Sequence, residues 1–179
     1  MQAFEPTLLS AVDQLPAPSE PALSFLEAWK AARRGNTVPQ KRDFDPLLVP
    51  QLLPYIWIYQ HDPETDLYRC RLAGEKIHDA WGGSIMGKSS LEILGGPDND
   101  VVTEIWRAVL GTPLVHYGSD ERLSGTMLYR AERMVAPLAD AGDTPAFILG
   151  ISLYALGGEI NYSPPALLQR TFHILCRDI

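Results

Sequence analysis

The segment from Arg42 to Gly87 constrains this 179-residue chain most. It opens on Arg42-Asp43-Phe44-Asp45-Pro46 and continues into the apolar run Tyr55-Ile56-Trp57-Ile58-Tyr59. A second run, Tyr68-Arg69-Cys70-Arg71-Leu72-Ala73, follows and stops at Gly74. Both runs are rich in β-branched and aromatic residues, which read as strands over residues 55–60 and 67–72. Between them lies His61-Asp62-Pro63-Glu64-Thr65-Asp66, a loop of turn formers. Alternation in the second strand puts Tyr68, Cys70 and Leu72 on one face and Arg69 and Arg71 on the other. After Gly74 the pattern predicts a short helix over 75–82. Gly82-Gly83 and Gly87-Lys88 then punctuate a loop.

The flanking segments extend this α+β pattern. Ser19 is a good N-cap, followed by Pro21 in the first turn and by Leu23, Leu26 and Trp29 at helical spacing. Arg33 and Arg34 meet the C-terminal dipole end, and Gly35 ends a helix read over residues 19–34. Residues 1–18 carry Pro6, Pro16 and Pro18 and read as a mobile N-terminal arm, with a short helix near Leu8 to Leu15 as an option. Beyond the Gly82 loop, one helical turn is expected between Ile85 and Leu94. A longer helix is expected from Asp98 to Leu110. Three strands follow, over 113–122, 126–137 and 146–155. Ser124-Gly125 is a two-residue hairpin signal and Gly157-Gly158 an end to the sheet. Leu168, Phe172 and Leu175 recur at helical spacing, so the 158–179 extension is read with a short C-terminal helix. Hairpin-linked strands imply an antiparallel sheet rather than βαβ winding.

Net charge is −7, from 15 basic and 22 acidic residues. That argues against a nucleic-acid partner, whose phosphates need a basic surface. The basic run Lys30, Arg33, Arg34, Lys41 and Arg42 reads first as a solvated helix end and second as a docking patch for an acidic partner. Cys70 and Cys176 form no metal-ligating pair and no disulfide framework. No stretch is long and apolar enough for a membrane span, and the N-terminus lacks the pattern of a secretory signal. The expected location is the cytoplasm.

The order and spacing of these blocks resemble the PAS fold, and within it the PAS_5 family of stand-alone proteobacterial PAS-like proteins. The resemblance rests on Trp29, Arg33, Gly35, Pro39, Arg42 and Asp43-Phe44-Asp45-Pro46. It continues through Leu53-Pro54, Tyr68 to Gly74, Gly82 or Gly83, and Gly87-Lys88. It ends with Arg133-Met134-Val135-Ala136-Pro137-Leu138 and Leu149-Gly150. It covers residues 23 to 154. It implies a PAS-like domain over 19–157, with a five-stranded antiparallel sheet, helices packed on one face and a small cavity between them. It implies no enzyme activity, and PAS-like domains sense small ligands or bind proteins. The leading expectation is a non-enzymatic signalling module acting through regulated protein–protein binding, with a small ligand in an apolar pocket as an optional control. With no output domain in this chain, any output must pass through association with another protein.

The residues add the following to that expectation. Ile77, Trp81, Ile85, Met86, Leu91, Ile105, Trp106 and Val109 are candidate pocket walls from the helical side. Met134, Ile148 and Ile151 are candidates from the sheet, and His116, Tyr117, Tyr129 and Arg133 are candidate polar handles. An apolar pocket with few polar groups suits a small organic ligand, although each residue, taken alone, reads more readily as core. Phe25, Leu26, Trp29 and Arg33 form a candidate interaction helix for a homodimer or an unidentified protein partner. No haem signature is present, because the helix 98–110 lacks a histidine; His78 and His116 are the nearest. No flavin signature is present, because the Asn-Cys-Arg run of a photosensor is missing, and Cys70 reads as an apolar filler. No catalytic or metal residue is assigned. The alternatives are a sensor with an obligatory ligand and, further off, a small enzyme using His116 and Tyr129 as acid–base groups.

Overall fold

The computed structural model describes residues 5–124, 127–142, 144–159 and 167–179. A seven-stranded sheet runs through the molecule, with helical layers against both faces. In chain order the strands are β1 (Thr7–Leu9), β2 (Ile56–Asp62), β3 (Leu67–Ala73), β4 (Leu114–Ser124), β5 (Met127–Ala139), β6 (Pro145–Glu159) and β7 (Leu167–Leu175). The helices are α1 (Glu20–Ala32), α2 (Glu75–Ala80), α3 (Ser90–Leu94) and α4 (Gly96–Gly111). Spatial order is β1-β7-β4-β5-β6-β2-β3. The five expected strands are therefore contiguous, and β7 and β1 extend the sheet from the β4 edge.

Those two additions correct the sequence reading. The segment read as a C-terminal helix is β7, antiparallel to β4 from Leu114↔Leu175 to Arg122↔Leu167. The spacing of Phe172 and Leu175 fits a helix, but Thr171 to Leu175 also alternates. Phe172 and Ile174 join the α1-side core, and the open edge of β4 supplies the backbone partners that select the strand. The mobile arm is docked as well. Its β1 pairs in parallel with β7, Thr7↔Phe172 to Leu9↔Ile174, so the sheet is not wholly antiparallel. A 3₁₀ turn at Val12–Gln14 stands where the short helix was an option, and it delivers Leu15 into the core. Nor do Gly157 and Gly158 end the sheet, since β6 runs to Glu159. Ser124 pairs with Met127 to close the β4–β5 hairpin; Gly125 itself lies outside the described residues.

Local chemistry explains the helix boundaries. Ser19 Oγ accepts from the Ala22 amide at 3.3 Å, and Pro21 fits the first turn of α1. Ser89 and Glu92 form a reciprocal capping box that starts α3. α4 begins two residues before the expected Asp98, behind Gly95, whose φ of 76° favours glycine. Gly74 starts α2 where a side chain has no room: a Cβ there would lie 2.2 Å from the Leu53 carbonyl oxygen. The Gly87-Lys88 segment clasps β3 through main-chain bonds to both the amide and the carbonyl of Cys70.

Packing is two-sided, not one-sided as expected. On one face α1 and the 3₁₀ turns of residues 41–55 cover Ile56, Ile58, Met134, Leu138, Leu149 and Ile151. On the other, α2 and α4 cover Trp57, Tyr59, Tyr68, Cys70, Val135 and Ile148. Leu72 changes face from the expected one. The β2–β3 register steps from Ile58↔Leu72 to Tyr59↔Cys70, leaving Arg71 as the extra residue of a bulge. One inserted residue reverses the alternation, so Leu72 packs toward α1 while Tyr68 and Cys70 face α4.

Candidate functional site

Between α2, α4 and the sheet lies a cleft of about 430 Å³. Its floor comes from period-2 alternation in β2, which turns Trp57 and Tyr59 toward α4 while Ile56 and Ile58 face α1. Trp106 from α4 completes an aromatic cluster, with ring centroids 5.6 Å from Trp57 and 4.7 Å from Tyr59. Trp57 pairs across strands with Gly150, and its indole lies over that glycine. A Cβ on Gly150 would stand 2.3 Å from the ring. So placed, Trp57 Nε1 donates to Ser152 Oγ at 2.9 Å, two residues further along β6.

The polar end is built on β4, β5 and β7. His116 and His173 are cross-strand partners, and His173 Nε2 lies 3.0 Å from His116 Nδ1. His116 is only 5 % exposed. Burial, helped by His173 and Arg133, pushes its pKa down to about 3, so the ring is neutral near pH 7. Burial also lowers the pKa of His173. Arg133 on β5 forms an ion pair with Asp120 on β4 and stacks over the Tyr154 ring, 5.9 Å from its centroid. Gly118, between His116 and Asp120 on the same face of β4, lines the cleft.

Of the pocket residues expected from the sequence, the cleft brings together Ile77, Trp81, Ile105, Trp106, His116 and Arg133. Val109 and Ile148 lie in the same core cluster without lining the cleft. Met134 points into the α1-side core, and Ile151 does the same. Met86 is 48 % exposed outside the cleft lining. Tyr117 also faces α1, where its hydroxyl donates to Glu132. The Tyr129 side chain lies outside the described residues. Sequence reasoning missed Trp57, Gly118, Asp120, Ser152, Tyr154 and Thr171. Ser152, a polar residue inside the apolar run Phe147–Leu153, was the available signal; Thr171 was hidden by the helix assignment.

The proposed interaction helix needs correction. Phe25, Leu26 and Trp29 have no exposed surface; they are core, and Trp29 Nε1 donates to the Pro137 carbonyl at 2.9 Å. Arg33 stacks on Trp29 and donates to the carbonyl of Asn36. A second hollow, about 390 Å³, lies beside the start of α1. Of its acidic groups, Glu132 already accepts from the Ser19 amide and from Tyr117, both at 2.9 Å. The two thiols are buried and held protonated, Cys70 pushed up to about 11 and Cys176 to about 12, with desolvation the main cause. Among the described residues no cluster of three or more metal-ligating side chains occurs, and no helix is long and apolar enough to cross a membrane.

None of the curated proteins matches this chain. The model of the PAS_5 family, described as a PAS domain, matches residues 18–153, which run from the residue before the α1 cap into β6. That match covers most of the chain and its five contiguous sheet strands, and the chain belongs to the PAS_5 family of PAS domains.

Proposed function

We propose that this PAS domain is a non-enzymatic signalling module in which a small organic ligand, held in the α4-side cleft, controls binding to another protein. One observation carries the reading: a neutral, buried histidine and an aromatic floor border a cleft that the core packing leaves open. Trp81 and Val101, 45 % and 41 % exposed, stand at its rim on α2's end and on α4. Occupancy would therefore be felt by the same helices that present apolar surface to a partner. The high thiol pKa values favour binding over cysteine chemistry.

Native mass spectrometry of freshly purified protein, followed by the same sample denatured, tests the reading. The expected result is a mass excess that disappears on denaturation. A bare mass, combined with no thermal shift across a small-molecule panel, would reject ligand control. The same spectrum reads self-association, which we keep within the proposal. Since α1 turns its aromatic face inward, the outward side, with Leu23 partly exposed, is what remains for such a contact.

A further inference from the structure

We propose that the cleft selects a neutral, flat aromatic molecule bearing a hydroxyl group, and that the hydroxyl docks on Nε2 of His116. This rests on reading the cleft as a ligand site.

The charges of the lining decide the ligand's charge. The described lining holds one cation, Arg133, and two acids, Asp98 and Asp120. Arg133 is already paired with Asp120. Both histidines are disfavoured as cations by burial. A carboxylate or phosphate entering the cleft would lose water and find no unpaired positive group, a costly exchange. A cation fares no better. Asp98 is exposed in the first turn of α4, where the positive end of the helix dipole opposes a cationic guest.

The walls decide the shape. The cleft is a gap between a helix and a sheet. Val101, Val102 and Ile105 face it from α4, and Trp57 and Tyr59 from β2. Two opposed apolar walls favour a flat ring over a bulky aliphatic group.

The anchor comes from an absence of atoms. His116 Nδ1 is engaged by His173, and Nε2 has no hydrogen-bond partner among the described residues. Gly118 is what leaves that nitrogen open: a Cβ there would lie 3.0 Å from Nε2. Which ring of the pair carries the shared hydrogen decides whether Nε2 donates or accepts. A hydroxyl can do either, so it suits both tautomers. Ser152 accepts from Trp57 and keeps its own hydrogen available as a second polar contact.

The test uses the full chain near neutral pH and three probes with one ring system: 2-naphthol, 2-naphthoate and 2-naphthylmethylammonium. Titration calorimetry is expected to show 2-naphthol binding about tenfold or more tightly than either charged probe. Gly118→Ala, on an extended strand, is expected to weaken naphthol by about tenfold, the value of one hydrogen bond. Histidine-ring ¹⁵N spectra of the unsubstituted chain read the same contact independently of how that variant folds: the His116 Nε2 resonance should move on adding naphthol. Charged probes that bind as well as naphthol would overturn the proposal and leave the ligand-site reading standing. So would naphthol binding with an unmoved Nε2 resonance or with full affinity in Gly118→Ala. Failure of all three probes would overturn the proposal, and the ligand-site reading falls with it only where the native mass is also bare and the small-molecule panel gives no thermal shift.

Discussion

The two faces of the sheet are built from similar residues to different ends. On the α1 face Phe25, Leu26, Trp29, Met134, Leu149 and Ile151 are wholly buried, and the one indole N–H there is satisfied by a main-chain carbonyl. On the α4 face Trp57, Tyr59 and Trp106 are packed nearly as deeply, but the layer stops short of closing. His116, Ser152 and the Arg133–Asp120 pair border the gap that is left. On the α1 side the hollow beside Ser19 has its Glu132 already paired, so a binding role falls to the α4 face, whose core packing is interrupted.

The largest expected effect tests the closed face. Trp29→Ala should cost about 3–5 kcal/mol, since it opens a cavity and strands the Pro137 carbonyl. Trp81→Ala, at the cleft rim, should stay within about 1 kcal/mol. Denaturant midpoints of the two variants compare the faces directly; equal losses would break the contrast. On the open face, Gly150→Ala drives a Cβ into the Trp57 ring and should cost about 1–3 kcal/mol. Tryptophan fluorescence should change with it as the Trp57–Ser152 bond is lost.

Acid should weaken the α4 face through His116. The unfolded chain binds a proton on this ring near pH 6.5, whereas the folded chain resists until about pH 3. Protonation thus favours unfolding. The contribution is fully present above about pH 6.5 and is lost as pH falls toward 3, with a slope of up to about 1.4 kcal/mol per pH unit. Melting curves at several pH values should show a shallower slope between pH ~7 and ~5 in His116→Gln than in the parent. The smallest effect belongs to the tie between the β2–β3 turn and α4. There Asp66 accepts from Arg107 at 2.9 Å and lies 2.8 Å from His61 Nε2. Hydrogen bonding to His61 and then to Arg107 lowers its pKa, but the group is solvent-screened. Asp66→Asn should change stability by less than about 1 kcal/mol in thermal melts.

How far these features could be read in advance varies along the chain. The helix over 19–34, the paired strands and the three later strands were legible because caps, glycines and the two side-chain periods act locally. Ser19 and Gly74 carry their own reasons. The strand at 167–175 was not legible, because Leu168, Phe172 and Leu175 recur at helical spacing, while the alternation that marks the strand, Phe172 and Ile174 against Leu175, spans only a few residues. The dockings of Thr7–Leu9 and Leu72 were also hidden. One depends on an edge supplied by residues near the other end of the chain, and the other on a single bulged arginine. In the cleft, Trp106 and His116 stood out by residue type, whereas Trp57 was read only as part of a strand.

Amino-acid order alone established an α+β order of elements, because periodicity and capping need only neighbours within a few positions, and the resemblance of its motif blocks carried the PAS assignment. Which inward face would be sealed and which left open was decided by the assembled sheet. Register set His116 opposite His173 and Trp57 over Gly150, and strand order placed β7 beside β4. Such pairings join residues 57 and 93 positions apart, through backbone hydrogen bonds that every residue type can make. The side chains of a strand state which way they point, but not which strand lies beside them.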